Sequence, residues 1–108
     1  MVHFPQVAGL GFSATAQRYA IASRGEAVAY LTHTVLGPRL LECTRLVISA
    51  SNRTIHDILG SPDDMKFRSS MTLFDAVSDR EEFAKAIALF YPGGKDQATL
   101  DILKKRHD

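Results

Sequence analysis

The sequence predicts an all-α protein: a single compact domain of five to seven short helices with no significant sheet. Three observations carry that prediction. Apolar residues recur at the three- and four-residue spacing of a helix face. Cap residues precede several of these stripes, and glycine or proline follows them. No run alternates apolar and polar residues as a half-buried strand would.

Residues 1–12 read as an irregular lead-in, because Pro5 interrupts a strand ladder and Gly9 and Gly11 loosen the chain. Ser13 is the expected cap of a first helix, ATAQRYAIAS, with Phe12, Ala16, Tyr19 and Ala20 facing inward. Ser23 with Glu26 three residues later forms a capping box for a second helix over Arg24–Thr32. Ala27, Val28 and Leu31 make its inner face. Thr34 is the expected start of a third helix, with Pro38 near its first turn. Leu36, Leu40, Cys43 and Val47 repeat at four, three and four, Leu41 and Ile48 widen the stripe, and the helix ends near Ala50.

A short helix from Asn52 or Thr54 to Leu59 carries Ile55 and Ile58 and stops at Gly60. The stretch SPDDMKFRSSMTLF then predicts a helix capped by Ser61, with Pro62 in the first turn, running to about Val77. Asp63 and Asp64 suit its positive end. Ser78 or Asp79 is the expected cap of the next helix, with Glu81 and Glu82 three residues on. Phe83, Ile87 and Phe90 face inward, and Pro92, Gly93 and Gly94 end it. Asp96 starts a last helix with Leu100 and Leu103 inward. Lys104, Lys105 and Arg106 lie at its negative end, and residues 105–108 form a flexible tail.

The totals exclude more than they assign. The chain has 108 residues and a formal net charge of +1, which offers no case for nucleic acid or a membrane surface. It has no long apolar run and no signal-like start. One cysteine, Cys43, forbids an internal disulfide and suits a cytoplasmic protein. His3, His33, His56 and His107 have no ligand spacing, so no metal and no cofactor is expected. GLGFSA fits G-x-G-x-x-A ahead of a helix, with Glu26 downstream, but a dinucleotide site needs a βαβ unit that the pattern lacks. What remains is a glycine loop before a helix start, which exposes N–H groups.

The helix from Ser61 holds the one anomaly. At about 100° per residue, Phe67, Met71, Leu73, Phe74 and Val77 share a broad arc, and Asp64, Arg68, Thr72 and Asp75 lie opposite. Asp63, Lys66 and Ser70 fall inside the apolar arc. Polar groups aimed at a core must be paired. One reading pairs Lys66 with Asp63, or lets it extend to solvent, and bonds Ser70 to the carbonyl one turn back. The other makes Gln6, Ser13, Asp63, Lys66, Ser69 and Ser70 line a site for a small polar or anionic ligand.

FPQVAGLG with SATAQRYAIAS, then EA-AYL-H-VLGPRLLECT, then GSPDDMKFRSSMTLF, resembles the bacterial family called domain of unknown function 1810, from about Phe4 to Phe90. The resemblance implies a mainly helical domain. It brings no activity and no catalytic residues, and the name calpastatin borne by some members implies none. Members carry a further segment upstream of the residues matched by Phe4, Pro5 and Gln6, holding a helix and a Lys/His/Trp-rich stretch. The resemblance therefore also implies uncovered apolar surface here, which favours a protein-interaction module or a homodimer. An enzyme built on Asp63, Lys66 and Ser70 is a third reading.

Overall fold

The computed structural model describes residues 4–10 and 20–105. Among them lie six helices: α1 (Arg24–Thr32), α2 (Leu36–Ser49), α3 (Ile55–Leu59), α4 (Asp63–Ala76), α5 (Glu81–Phe90) and α6 (Gln97–Lys104). The chain is all-α. One isolated parallel bridge, Val7 with Ile21, is the only sheet-like pairing among the described residues. None of their helices is long and apolar enough to cross a membrane.

The hub is α4, which packs against α1, α3, α5 and α6, while α2 packs on α1 and α5. Its apolar arc explains this. Phe67, Met71, Leu73 and Phe74 are fully buried, together with Phe83, Ala86 and Leu103 from its neighbours. The Phe4 ring meets Phe67 edge-on at 4.7 Å between centroids. Phe74 lies against Tyr30 at 5.6 Å and Phe83 at 5.7 Å. Each such side chain stabilises the fold by about 1.5–3 kcal/mol through burial alone. The lead-in is thus part of the core. It is held by two backbone bonds at 2.8 Å, from Ala8 to the Ile21 carbonyl and from Ile21 to the Gln6 carbonyl.

Several caps stand where the sequence places them. Ser23 accepts from the Glu26 N–H at 3.0 Å, Thr54 from Asp57 at 3.1 Å and Asp96 from Thr99 at 3.3 Å. Gly60 ends α3 at φ +74°, a conformation that favours glycine. The Leu103 carbonyl near the end of α6 accepts from the Arg24 guanidinium at 2.8 Å, tying the last helix to the first turn of α1.

Other expectations are corrected. The sequence predicts the first helix through Ser23, but Ala20–Ala22 are not helical, and Ile21 forms the bridge to Val7 instead. Phe12, Ser13, Ala16 and Tyr19 lie outside the described residues. In α1 the inner stripe is buried Ala27 with half-buried Tyr30 and Leu31, and Val28 is 43% exposed, because Tyr30 turns that side of the helix onto Phe74. Thr34 does not start α2. The His33 Nδ1 accepts from both Val35 and Leu36 N–H groups at 3.1 Å and serves the free donors there. Cys43 is only half-buried, and Thr44 takes the buried place, its hydroxyl donating to the Leu40 carbonyl at 2.8 Å. Gly37 lets α2 close on the end of α1, since a Cβ there would stand 2.0 Å from the Leu31 carbonyl oxygen.

Ser61 does not cap α4, and Pro62 stands at its N-cap rather than inside its first turn. The turn through Gly60 and Pro62 brings backbone acceptors to these donors: the Gly60 carbonyl takes the Asp64 N–H, and the Pro62 carbonyl takes those of Met65 and Lys66. Asp63 and Asp64 occupy the first turn as expected. Neither Ser78 nor Asp79 caps α5. Ser78 instead accepts from the Arg80 N–H at 3.1 Å, tightening the loop before the helix begins at Glu81.

Candidate functional site around helix α4

One side of α4 carries polar residues that its sequence sets opposite the core. The structure covers them with the loop from Tyr91 to Asp96 between α5 and α6. Arg68 donates through Nε to the Gly94 carbonyl at 2.8 Å and through Nη2 to that of Lys95 at 3.2 Å. Its guanidinium also lies 5.7 Å from the Tyr91 ring centroid. Thr72 accepts from the Asp96 N–H at 2.9 Å, and its hydroxyl donates to the Arg68 carbonyl at 2.9 Å. Asp75 pairs with Lys95 at 3.0 Å.

Asp96 is the centre of this network. Its carboxylate accepts from the Ser69 hydroxyl at 2.9 Å and from the Thr99 hydroxyl at 2.6 Å, besides the Thr99 N–H. Tyr91 donates its hydroxyl to the Asp64 carbonyl. Burial pushes the Tyr91 phenol well above the ordinary tyrosine range, the Asp64 charge adds to this, and Arg68 opposes both. Asp64 also approaches His56 Nδ1 at 3.3 Å.

The opposite side of α4 is different. Ser70 is fully buried, and its Oγ has no hydrogen-bond partner among the described residues. It does not bond the carbonyl one turn back, as the simpler sequence reading required. It stands one turn from Phe67 and from Phe74. Lys66, one turn earlier on the same arc, is half-buried and forms no ion pair with Asp63 or any other acid among the described residues. Asp63 is half-buried beside it in the first turn. A buried hydroxyl without a partner carries a penalty of about 1–3 kcal/mol, so it is an exception that needs a cause.

The six residues singled out from the sequence divide accordingly. Asp63, Lys66 and Ser70 lie along one arc of α4. Ser69 is turned to Asp96. Gln6 is half-buried in the lead-in, its carbonyl bonded to Ile21. Ser13 lies outside the described residues. Sequence reasoning missed Asp96 as a hub, Tyr91 as the anchor of the loop, and His33 as a cap. Asp96 had a signal, because a capping aspartate has spare acceptor sites, but the helix that would fill them is remote in sequence. The described residues contain no group of three or more His, Cys, Asp or Glu able to hold a metal ion. Tyr30, beside Phe74, has its phenol raised by burial and then by Cys43.

The comparisons with known proteins agree with this helical arrangement. A family model described as "Protein of unknown function (DUF1810)" matches residues 2–103. The chain is similar to the conserved hypothetical protein Rv1873 from Mycobacterium tuberculosis, whose crystal structure was solved at 1.38 Å. The two are 50% identical with a TM-score of 0.90, over 94% of this chain and 73% of that one. No curated protein matches the chain.

Proposed function

The chain belongs to the family described as protein of unknown function (DUF1810), and from that premise we propose that it is a small helical binding module whose polar ligand engages Lys66 and Ser70. The carrying observation is the Ser70 hydroxyl, buried without a partner on the helix that organises the fold. Every other buried polar side chain on α4 serves the loop or its own backbone. Lys66 adds a cation on the same arc, with no counter-ion among the described residues. Ser69 supports the site from behind by fixing α4 to Asp96. Asp63 borders it on the same arc of α4. A single cysteine and an ordinary charge balance support a cytoplasmic setting.

The test is a thermal-shift screen of nucleotides, phosphates and carboxylates on the wild type, Lys66→Ala and Ser70→Ala. A compound that stabilises the wild type and loses its effect in both variants supports the module. Compounds that stabilise all three proteins equally place the site elsewhere.

A second reading is a protein-interaction or homodimerisation surface. It draws on Leu46 of α2 and Leu89 of α5, which are 62% and 47% exposed on helices that pack together. Sedimentation of the wild type beside Leu46→Lys decides it: a monomer at high concentration in both ends this reading.

A further inference from the structure

We propose that His33 is an acid-released latch: its neutral ring closes the corner between α1 and α2, and protonation of the ring opens it.

The start of α2 depends on this one residue. A helix leaves the N–H groups of its first turn without partners inside the helix. Val35, at the N-cap position, offers no side-chain acceptor, and no acid lies in the first turn. The His33 Nδ1 takes the N–H groups of Val35 and Leu36 at 3.1 Å each, and the His33 carbonyl takes that of Gly37 at 3.1 Å. Pro38 has no N–H to serve. From Arg39 onward the helix supplies its own acceptors, beginning with the Val35 carbonyl at 3.2 Å. The same residue closes α1, its own N–H donating to the Tyr30 carbonyl at 3.3 Å.

Backbone N–H groups only donate, so Nδ1 must present its lone pair and the ring proton must sit on Nε2. A proton on Nδ1 removes that lone pair and sets a third N–H against the two it served. It also places a positive charge at the positive end of α2. The end of α1 is negative and pulls the other way, but the α2 donors are the groups in direct contact with the ring. No ion pair among the described residues includes His33. The nearest titratable groups along the chain are Tyr30 on α1, packed on Phe74, and Arg39 on α2. On the elements packed against these helices, Glu82 of α5 is held by Arg45, Asp75 of α4 by Lys95, and Asp64 of α4 approaches His56. None of these carboxylates rewards a proton on His33.

Folding therefore excludes a proton that the unfolded chain accepts. The latch contributes stability while the ring is neutral and loses it as the ring gains a proton in acid. His33 is exposed, so solvent protons reach it. His56 has the opposite arrangement, because its Nδ1 faces the Asp64 carboxylate at 3.3 Å, a contact that a protonated ring favours.

The experiment follows nitrogen-15-labelled protein from about pH 8 to about pH 5, the range over which imidazole changes charge. At the upper end the His33 ring carries its proton on Nε2 alone. On acidification the Val35 and Leu36 amide resonances move in step with the His33 ring, and His56→Gln leaves that step in place. His33→Asn sets Oδ1 where Nδ1 stands, an acceptor that does not titrate, and its amides show no such step. In urea unfolding, His33→Ala lowers the folding equilibrium constant roughly fivefold near pH 8, and this deficit closes in acid. His33→Asn matches the wild type near pH 8 and exceeds it roughly fivefold near pH 5, while carboxylates elsewhere titrate alike in both and cancel. A proton on Nδ1 near pH 8 overturns the latch. So do amides that stay still while the ring titrates, a step that disappears in His56→Gln, or the same pH dependence of stability in wild type and His33→Asn.

Discussion

Ser69 and Ser70 are neighbours on one helix, and both are buried, at 5% and 0% exposure. Ser69 donates to the Asp96 carboxylate, but the hydroxyl of Ser70 has no partner. The contrast extends to the two sides of α4. Toward the 91–96 loop, Arg68, Ser69, Thr72 and Asp75 each hold a named atom of the chain. On the other side, the side chains of Lys66 and Ser70 hold none among the described residues. Polar residues on a central helix therefore have two distinct meanings here. One set fastens a loop, and its retention is explained by the fold. The other is unexplained by the fold, which is why a ligand is assigned to it.

Cutting the loop network should have the largest effect. Asp96→Ala removes the α6 cap and the acceptor of Ser69 and Thr99, and should cost roughly 2–4 kcal/mol in urea unfolding. Thr72→Val deletes the acceptor of the Asp96 N–H within a similar volume and should cost about 1–2 kcal/mol by the same measurement.

The two serines sharpen the comparison through opposite signs. Ser69→Ala should lower stability by about 1 kcal/mol. Ser70→Ala should raise it by up to about 1 kcal/mol in ligand-free protein, because an unserved buried hydroxyl is removed. A loss at Ser70 as large as that at Ser69 would mean the hydroxyl is satisfied within the fold, and the two sides of α4 would no longer differ. Lys66→Met should move stability by less than about 0.5 kcal/mol, as suits a charge with no internal partner.

A comparably small effect serves as a control away from α4. The Arg45 guanidinium, bonded to Glu82 at 2.7 Å, holds that carboxyl below its ordinary value of 4.5, partly against desolvation. The unfolded chain binds this proton more readily, so the pair contributes stability above pH 4.5 that is lost as pH falls through the lowered folded value. Arg45 is largely exposed, which limits the contribution to about 0.2–1 kcal/mol. Glu82→Gln should show that deficit at pH 7 and lose it in acid, where the Ser69 and Ser70 variants keep their difference in sign.

The sequence by itself determined the six helices from α1 to α6. Local rules sufficed for the stripes of α2, α4 and α5, for the caps at Ser23, Thr54 and Asp96, and for the stop at Gly60, because each depends on residues within one or two turns. It also determined that Lys66 and Ser70 share an arc with Phe67 and Phe74, since helical spacing alone sets that. The tertiary structure decided which polar residues had partners. Thr72 and Ser69 meet Asp96 across 24 and 27 positions of chain, and the Tyr91 hydroxyl reaches Asp64 across 27. No local pattern encodes those meetings, because a hydrogen bond requires atoms about 3 Å apart and only the packing of α4 against the 91–96 loop brings them there. The same packing left Ser70 on the other side without an acceptor among the described residues.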